Sequence, residues 1–318
     1  MDFMEFVEEV KRSIRDYLPA EYEDVVIRQE TKNNETVLTG LLVRKKDQRV
    51  APNVYLEGYY KEYIAGKQFN KVLDDIARCI VEYGNSEACN MPEETYDMSS
   101  YEKVKDKIYF RIINAEMNKN ILVERPHRLV EDLAVVFYVK VYNGDKQLGS
   151  IAIENRWLER WNVDEETLYQ AALKNTPEFF PSTFSAVETI VFNSEEGKYG
   201  SDELEKLAEQ PVFPSNAYVA TNDCGLNGAA VILYPNVLNR IEEVFGDVVL
   251  IPSSIHEWII VKAHEFAAEL ATLEDMVRGV NDTQVSQEDR LSYQVYKPEN
   301  GMLKRIVVRE DEIIAAAE

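Results

Sequence analysis

The chain has 318 residues, enough for about two domains of ~150 residues each. Its 35 Lys+Arg against 57 Asp+Glu leave a net charge of −22, which argues against a general nucleic-acid or anionic-membrane binder, because both need a basic footprint. An apolar content of 45 % with only 13 Gly and 11 Pro excludes a disordered or fibrous chain.

Residues 1–18 predict an amphipathic helix: Phe3, Phe6, Val7, Val10, Ile14 and Leu18 recur at helical spacing, and Pro19 closes the run. YEDVVIRQ (22–29) and TVLTGLLVRK (36–45) read as a hairpin, and residues 55–84 as two helices broken at Gly66. The stretch 85–100 is rich in turn formers and lacks apolar periodicity. It is the expected linker between an N-terminal α+β domain, 1–99, and a C-terminal one, 100–318. Beyond it a helix is expected from Tyr101 to about Asn118, then a hairpin of LAVVFYVKVY (133–142) and LGSIAIEN (148–155) around Asn143-Gly144. RWLERW and DEETLYQAALKN predict helices ending before Pro177, and 193–210 an acidic surface segment. AYVATND (217–223) and GAAVILYP (228–235) predict a further hairpin. NVLNRIEEVF then reads as a helix, GDVVLIP and WIIVKA as strands, and EFAAELATLEDMV (265–277) as a helix. A last hairpin, 291–308, turns at Asn300-Gly301. For 253–264 both strand and helix remain open. Strands in hairpin pairs with helices between them predict an α+β fold of mainly antiparallel sheets with flanking helices.

Three scattered cysteines, Cys79, Cys89 and Cys224, fit a reducing cytosol. The start MDFMEFVEEV has no signal-peptide pattern, and the longest apolar stretch, 133–139, is too short to span a bilayer. The expectation is a cytoplasmic protein without a membrane partner.

Several motifs occur together: INAEMNKN (113–120), PHRLVEDLAVVF (126–137), LYQAALKNTP (168–177), ATNDCGLNGAAVILYP (220–235), IPSSIHEWII (251–260) and LSYQVY (291–296). In this order they resemble a family of uncharacterised proteins from anaerobic gut bacteria, known only as a domain of unknown function, over residues of about 20 to 300. The resemblance implies no activity, cofactor or catalytic residue.

The residues themselves offer four constellations. PSSIHEW (252–258) holds Ser254, His256 and Glu257, the types a hydrolase needs. On a strand, however, Ser254 and His256 would sit about 7 Å apart with Glu257 on the opposite face. On a helix, Ser254 and Glu257 would form a capping box. His256-Glu257 and His264-Glu265 repeat a pair, but eight residues on a helix span about 12 Å, too far for one zinc. With three histidines and no CxxC, no zinc site is expected and no metal ligands are assigned, while an Asp/Glu-ligated Mg²⁺ or Ca²⁺ stays open. GxGxxG and GxxxxGK[ST] are absent, so no cofactor is expected either.

Asn114 and Asn118 would share a helix face, followed by His127 and Asp132. They form the best polar cluster, read as a structural network or as a ligand site with His127 as acid or base. In the turn 222–225, Asp223 opposes activation of the Cys224 thiol. Tyr55, Tyr59, Tyr60 and Tyr63 fall at i, i+4, i+5 and i+8, a stripe suited to covering a core edge or to binding a partner. The leading expectation is a non-enzymatic, protein-binding or regulatory module. The alternatives are a hydrolase-like enzyme using His127 or His256 with nearby carboxylates or serines, and an acidic DNA mimic.

Overall fold

Asp2 starts the first helix with a reciprocal cap. Its carboxylate accepts from the Glu5 N–H, and the Glu5 carboxylate accepts from the Asp2 N–H, both at 2.9 Å. In the computed structural model, which describes residues 1–46, 48, 50–144, 147–209, 212, 215–263 and 270–307, the chain divides into Met1–Asp97 and Met98–Glu318. The fold is α+β, and among the described residues every strand pairing is antiparallel.

In the first unit α1 (Phe3–Ser13) buries Phe6, Val7 and Val10, and Ile14 continues the stripe in a following 3-10 turn. Strands β1 (Tyr22–Thr31) and β2 (Val37–Lys45) form the expected hairpin, turned where Asn34 takes φ 56°. β3 (Asn53–Tyr55) adds to the free edge of β2. Two helices follow, α2 (Leu56–Ile64) and α3 (Phe69–Gly84), separated where Gly66 adopts φ 103°, a conformation an L side chain resists. Leu41, Val43 and Val54 from the sheet meet Phe6, Val10, Leu73 and Ile76 from the helices in one core.

The second unit begins with a departure from expectation. The helix predicted from Tyr101 to Asn118 is only α4 (Tyr101–Val104), and β4 (Ile108–Asn114) follows it. Ile108, Phe110 and Ile112 face one core, while Ile113 faces a second one on the other side. A strand covered on both faces reads as a continuous apolar run, which periodicity cannot separate from a helix. Next come α5 (Lys119–Glu124), β5 (His127–Val130), β6 (Leu133–Gly144) and β7 (Gln147–Ala152). β6 is the spine of a four-stranded sheet: β4 pairs along one side, and β5 and β7 pair with successive stretches of it.

After α6 (Asn155–Trp161), α7 (Glu165–Phe179) runs through Pro177 instead of stopping before it. Pro177 sits in the last turn, so its ring removes one terminal hydrogen bond and interrupts nothing beyond. Then follow β8 (Ser182–Ala186), α8 (Val187–Val191), β9 (Lys198–Tyr199), α9 (Leu204–Glu209) and β10 (Ala217–Asn222). The strand predicted for GAAVILYP is instead a buried 3-10 segment, Gly228–Leu233. β10 pairs with β8 and with a strand well downstream, so the hairpin expected at 217–235 does not form.

The remaining elements are α10 (Val237–Phe245), β11 (Val248–Ser254), β12 (Glu257–Lys262), α11 (Leu270–Gln284), β13 (Tyr296–Glu299) and β14 (Met302–Arg305). β11 and β12 form a hairpin whose turn is Ile255-His256, which settles 253–262 as strand, turn and strand. His264 and Glu265 lie outside the described residues. The last hairpin turns at Asn300 (φ 53°) and Gly301 (φ 72°), the left-handed pair that a tight two-residue turn requires. The larger sheet runs β14-β13-β11-β12-β10-β8-β9. Alternation sorts its faces: Val248 and Leu250 join the core shared with β4 and β6, while Val249 and Val261 pack with Leu273 and Val277 of α11.

Candidate functional site

Asn114 ends β4 rather than lying on a helix, and its backbone carbonyl accepts from the Asn118 amide at 2.8 Å. Its side chain donates to Leu291 O at 3.1 Å and accepts from Met117 N at 2.9 Å. The two asparagines therefore meet as expected, but in closing a turn. Asp132 occupies the tight turn between β5 and β6, where Glu131 has φ 56°. One carboxylate oxygen accepts from the Tyr296 hydroxyl at 2.6 Å, and the other from the Ser292 hydroxyl at 2.7 Å. Tyr296 and Ser292 are both fully buried. Burial first, and then the charge of Asp132, push the Tyr296 phenol up, which keeps its proton on that oxygen.

His127 opens β5. Its Nδ1 donates to Arg125 O at 2.9 Å, and among the described residues Nε2 has no protein partner. His127 and Asp132 line a shallow groove of about 350 Å³ with Ala115, Leu122, Val123 and Leu129. The two do not come within ion-pair distance of each other, and an ion pair between Glu116 and Lys119 (2.5 Å) stands at the rim. The groove is thus a largely apolar trough with one free imidazole nitrogen and, among the described residues lining it, no serine, threonine or cysteine.

His256 lies elsewhere, in the β11–β12 turn. Its Nδ1 accepts from Asn227 N at 3.1 Å, and Nε2 donates to Asp289 at 3.2 Å. Ser254 accepts from His256 N at 3.0 Å, Thr221 donates to His256 O at 2.8 Å, and Ser286 donates to Asp289 at 2.7 Å. Glu257 accepts from Ser253, so the Ser254–Glu257 capping box is not formed. Both imidazole nitrogens are engaged, and His256 ties the hairpin turn to the Gly228 segment and to residue 289. His256→Ala should therefore cost about 1–2 kcal/mol in chemical denaturation. The His256 hydrogen bond holds the Asp289 carboxyl below the usual carboxylate range, although partial burial works the other way. A depressed folded value stabilises above the unfolded one, ~3.9, and the contribution disappears as pH falls through the folded value. Wild-type melting should consequently fall more steeply than that of Asp289→Asn as the pH drops below about 4. Parallel curves would remove this linkage.

Tyr59, Tyr60 and Tyr63 pack against the core of the first unit, with Tyr60 and Tyr63 ring centres 6.4 Å apart, while Tyr55 stands apart from them. Tyr55 caps α2 and donates to Glu30 at 2.8 Å, with Lys32 Nζ 4.7 Å from its ring. Tyr60 turns inward to Phe3 and Phe6 (5.2 and 5.3 Å), Tyr63 packs 5.6 Å from Phe6, and burial pushes the Tyr59 phenol up. Cys224 donates to the Asn222 amide oxygen at 3.4 Å. Among the described residues no three His, Cys, Asp or Glu side chains come together as a metal site, and no helix is long and apolar enough to cross a membrane.

Asp132 and His256 thus each secure a turn to residues far along the chain: Asp132 joins PHRLVEDL to LSYQVY, and His256 joins SSIHEW to Asn227 of ATNDCGLNGAAVILYP and to Asp289. The chain belongs to DUF5688, a family of unknown function. The family match spans residues 3–298, so it takes in both polar ties and the groove. No curated protein and no solved structure matches the chain.

Proposed function

We propose that this member of DUF5688 is a non-enzymatic binding protein whose partner is an extended segment of another protein, seated in the groove beside β5. The observation that carries this reading is apolar exposure at that groove: Val123, 77 % exposed, and Leu129, 61 % exposed, both line the trough. β5 is an edge strand, pairing with β6 alone among the described residues. An incoming extended peptide could add to that edge through its backbone while seating an apolar side chain against Leu122, Val123 and Leu129. The hydrolase alternative is less well supported. It needs a base next to a nucleophile, whereas His256 has both nitrogens in internal hydrogen bonds and His127 faces an apolar trough.

The test is co-purification of a tagged copy from native cells, wild type beside Val123→Asp/Leu129→Asp. Both side chains are exposed, so the variant should stay within about 0.5 kcal/mol per site of wild-type stability. The expected result is loss of the specific wild-type partner from the variant at unchanged melting temperature. Retention of that partner would overturn the assignment, as would a cellular function abolished by His127→Ala in a folded protein.

A further inference from the structure

The four-stranded sheet carries, on one face, a group of cations that neither the groove nor the His256 tie uses. Tyr109 stands opposite Tyr138 and Arg111 opposite Val136 across β4 and β6, and Lys140 stands opposite Ser150 across β6 and β7. The two-residue period puts Tyr109, Arg111, Tyr138, Lys140 and Ser150 on that one face. The Arg111 guanidinium stacks 4.1 Å from the Tyr138 ring centre and donates to Tyr109 (3.1 Å) and Ser150 (2.9 Å). Arg125, at the end of α5, donates to the Tyr138 hydroxyl at 3.2 Å. Lys140 Nζ sits 3.2 Å from the Phe179 ring centre and, among the described residues, makes no hydrogen bond.

No described carboxylate pairs with Arg111, Arg125 or Lys140, in a chain with 57 acidic residues. Burial holds the Lys140 ammonium below its ordinary range, and no acid nearby counters it. Aromatic faces attract cations, but they do not satisfy N–H donors. Arg111 and Arg125 therefore meet at Tyr138, with Lys140 on the same face, and the three partly buried charges have donors to spare and no paired carboxylate among the described residues. An oxyanion would supply both the charge and the acceptors. Donors arrive here from β4, from the end of α5 and from β6, and a tetrahedral, doubly charged group meets three such directions better than a planar carboxylate does.

We propose that this cationic, tyrosine-lined face binds the phosphate group of a small phosphate ester, with Lys140, Arg125 and Arg111 as its donors. The experiment is calorimetric titration of the full chain with phenyl phosphate, inorganic phosphate and acetate at matched ionic strength. Saturable binding of phenyl phosphate at least as tight as inorganic phosphate is expected, with acetate at least tenfold weaker. Lys140→Gln and Arg125→Gln should each weaken phenyl phosphate binding at least tenfold. Because Lys140→Gln removes a partly buried charge with no paired carboxylate among the described residues, its melting temperature in phosphate-free buffer should equal or exceed that of wild type, which separates lost binding from lost fold. Binding of inorganic phosphate with exclusion of the ester would overturn the ester assignment. Equal affinity for acetate, unchanged affinity in both variants, or no saturable binding would overturn the site.

Discussion

Gly228→Ala should destabilise the unit Met98–Glu318 by about 3 kcal/mol, a large effect for the addition of one methyl group. Gly228 begins the buried 3-10 segment that lies against the β11–β12 turn. A β-carbon there would stand 2.5 Å from His256 O and 2.7 Å from Asn222 N, and would also press on the Thr221 hydroxyl. Two of these neighbours are backbone atoms, one in β10 and one in the β11–β12 turn, so they cannot rotate away as a side chain would. The same shift would break the Thr221–His256 hydrogen bond and loosen the Asn227 N–H that His256 accepts. Gly279, in the middle of α11, is a matched control with nothing within 4 Å of its would-be β-carbon. Gly279→Ala should stabilise by about 0.5–1 kcal/mol through helix propensity alone. Urea denaturation followed by tryptophan fluorescence reads the right unit, because Trp157, Trp161 and Trp258, the chain's three tryptophans, all lie in Met98–Glu318. Equal effects at the two glycines would show that the 3-10 segment yields easily, and the tie at His256 would lose its structural rationale.

Periodicity and turn chemistry reveal the elements whose stabilisation is local. α1, α3 and α10 each bury a single apolar stripe, and the β13–β14 hairpin turns at its Asn-Gly, whereas in β6–β7 Asn143 and Gly144 are the last paired residues of β6, against Leu148 and Gln147. The same reasoning fails for IYFRII and GAAVILYP, where tertiary packing covers every face and no pattern separates strand from helix. β3, β5 and β9 are too short, at three, four and two residues, to display a period. The polar cluster is only half visible in the sequence. Asn114 meets Asn118, and His127 and Asp132 line one groove, but what Asp132 holds lies 160 and 164 residues away, in Ser292 and Tyr296. The partner of His256 is likewise 33 residues distant. Hydrogen bonds of that range leave no spacing to read. Arg111 and Lys140 were hidden for a related reason, since in an apolar run an isolated cation looks like a surface position until cross-strand register places it beside Tyr138.

Asp132→Ala should cost about 2–3 kcal/mol, and the reason is how protons are shared at Ser292 and Tyr296. Each carboxylate oxygen takes one hydroxyl proton, from Tyr296 at 2.6 Å and from Ser292 at 2.7 Å. Removing the carboxylate leaves two fully buried hydroxyls without their acceptor. They are not equally stranded, because their own oxygens stand 2.7 Å apart and one can donate to the other. One donor is thereby recovered and one is lost, which holds the cost below that of two buried orphans. Tyr296→Phe should be milder, about 1–2 kcal/mol, since Asp132 borders the groove and its freed oxygen can take a water. The double variant should then be less destabilised than the sum of the single ones by about 1 kcal/mol or more, because the stranded phenol is gone. The Trp258 ring lies 5.3 Å from Tyr296, so tryptophan fluorescence in denaturant reports the change at close range. Strict additivity would mean that the carboxylate and the phenol do not act on each other. If Asp132→Ala moved stability by less than about 0.5 kcal/mol while abolishing the protein's cellular function, Asp132 would be serving the groove rather than the fold. In that event the enzymatic reading at His127 would displace the binding one.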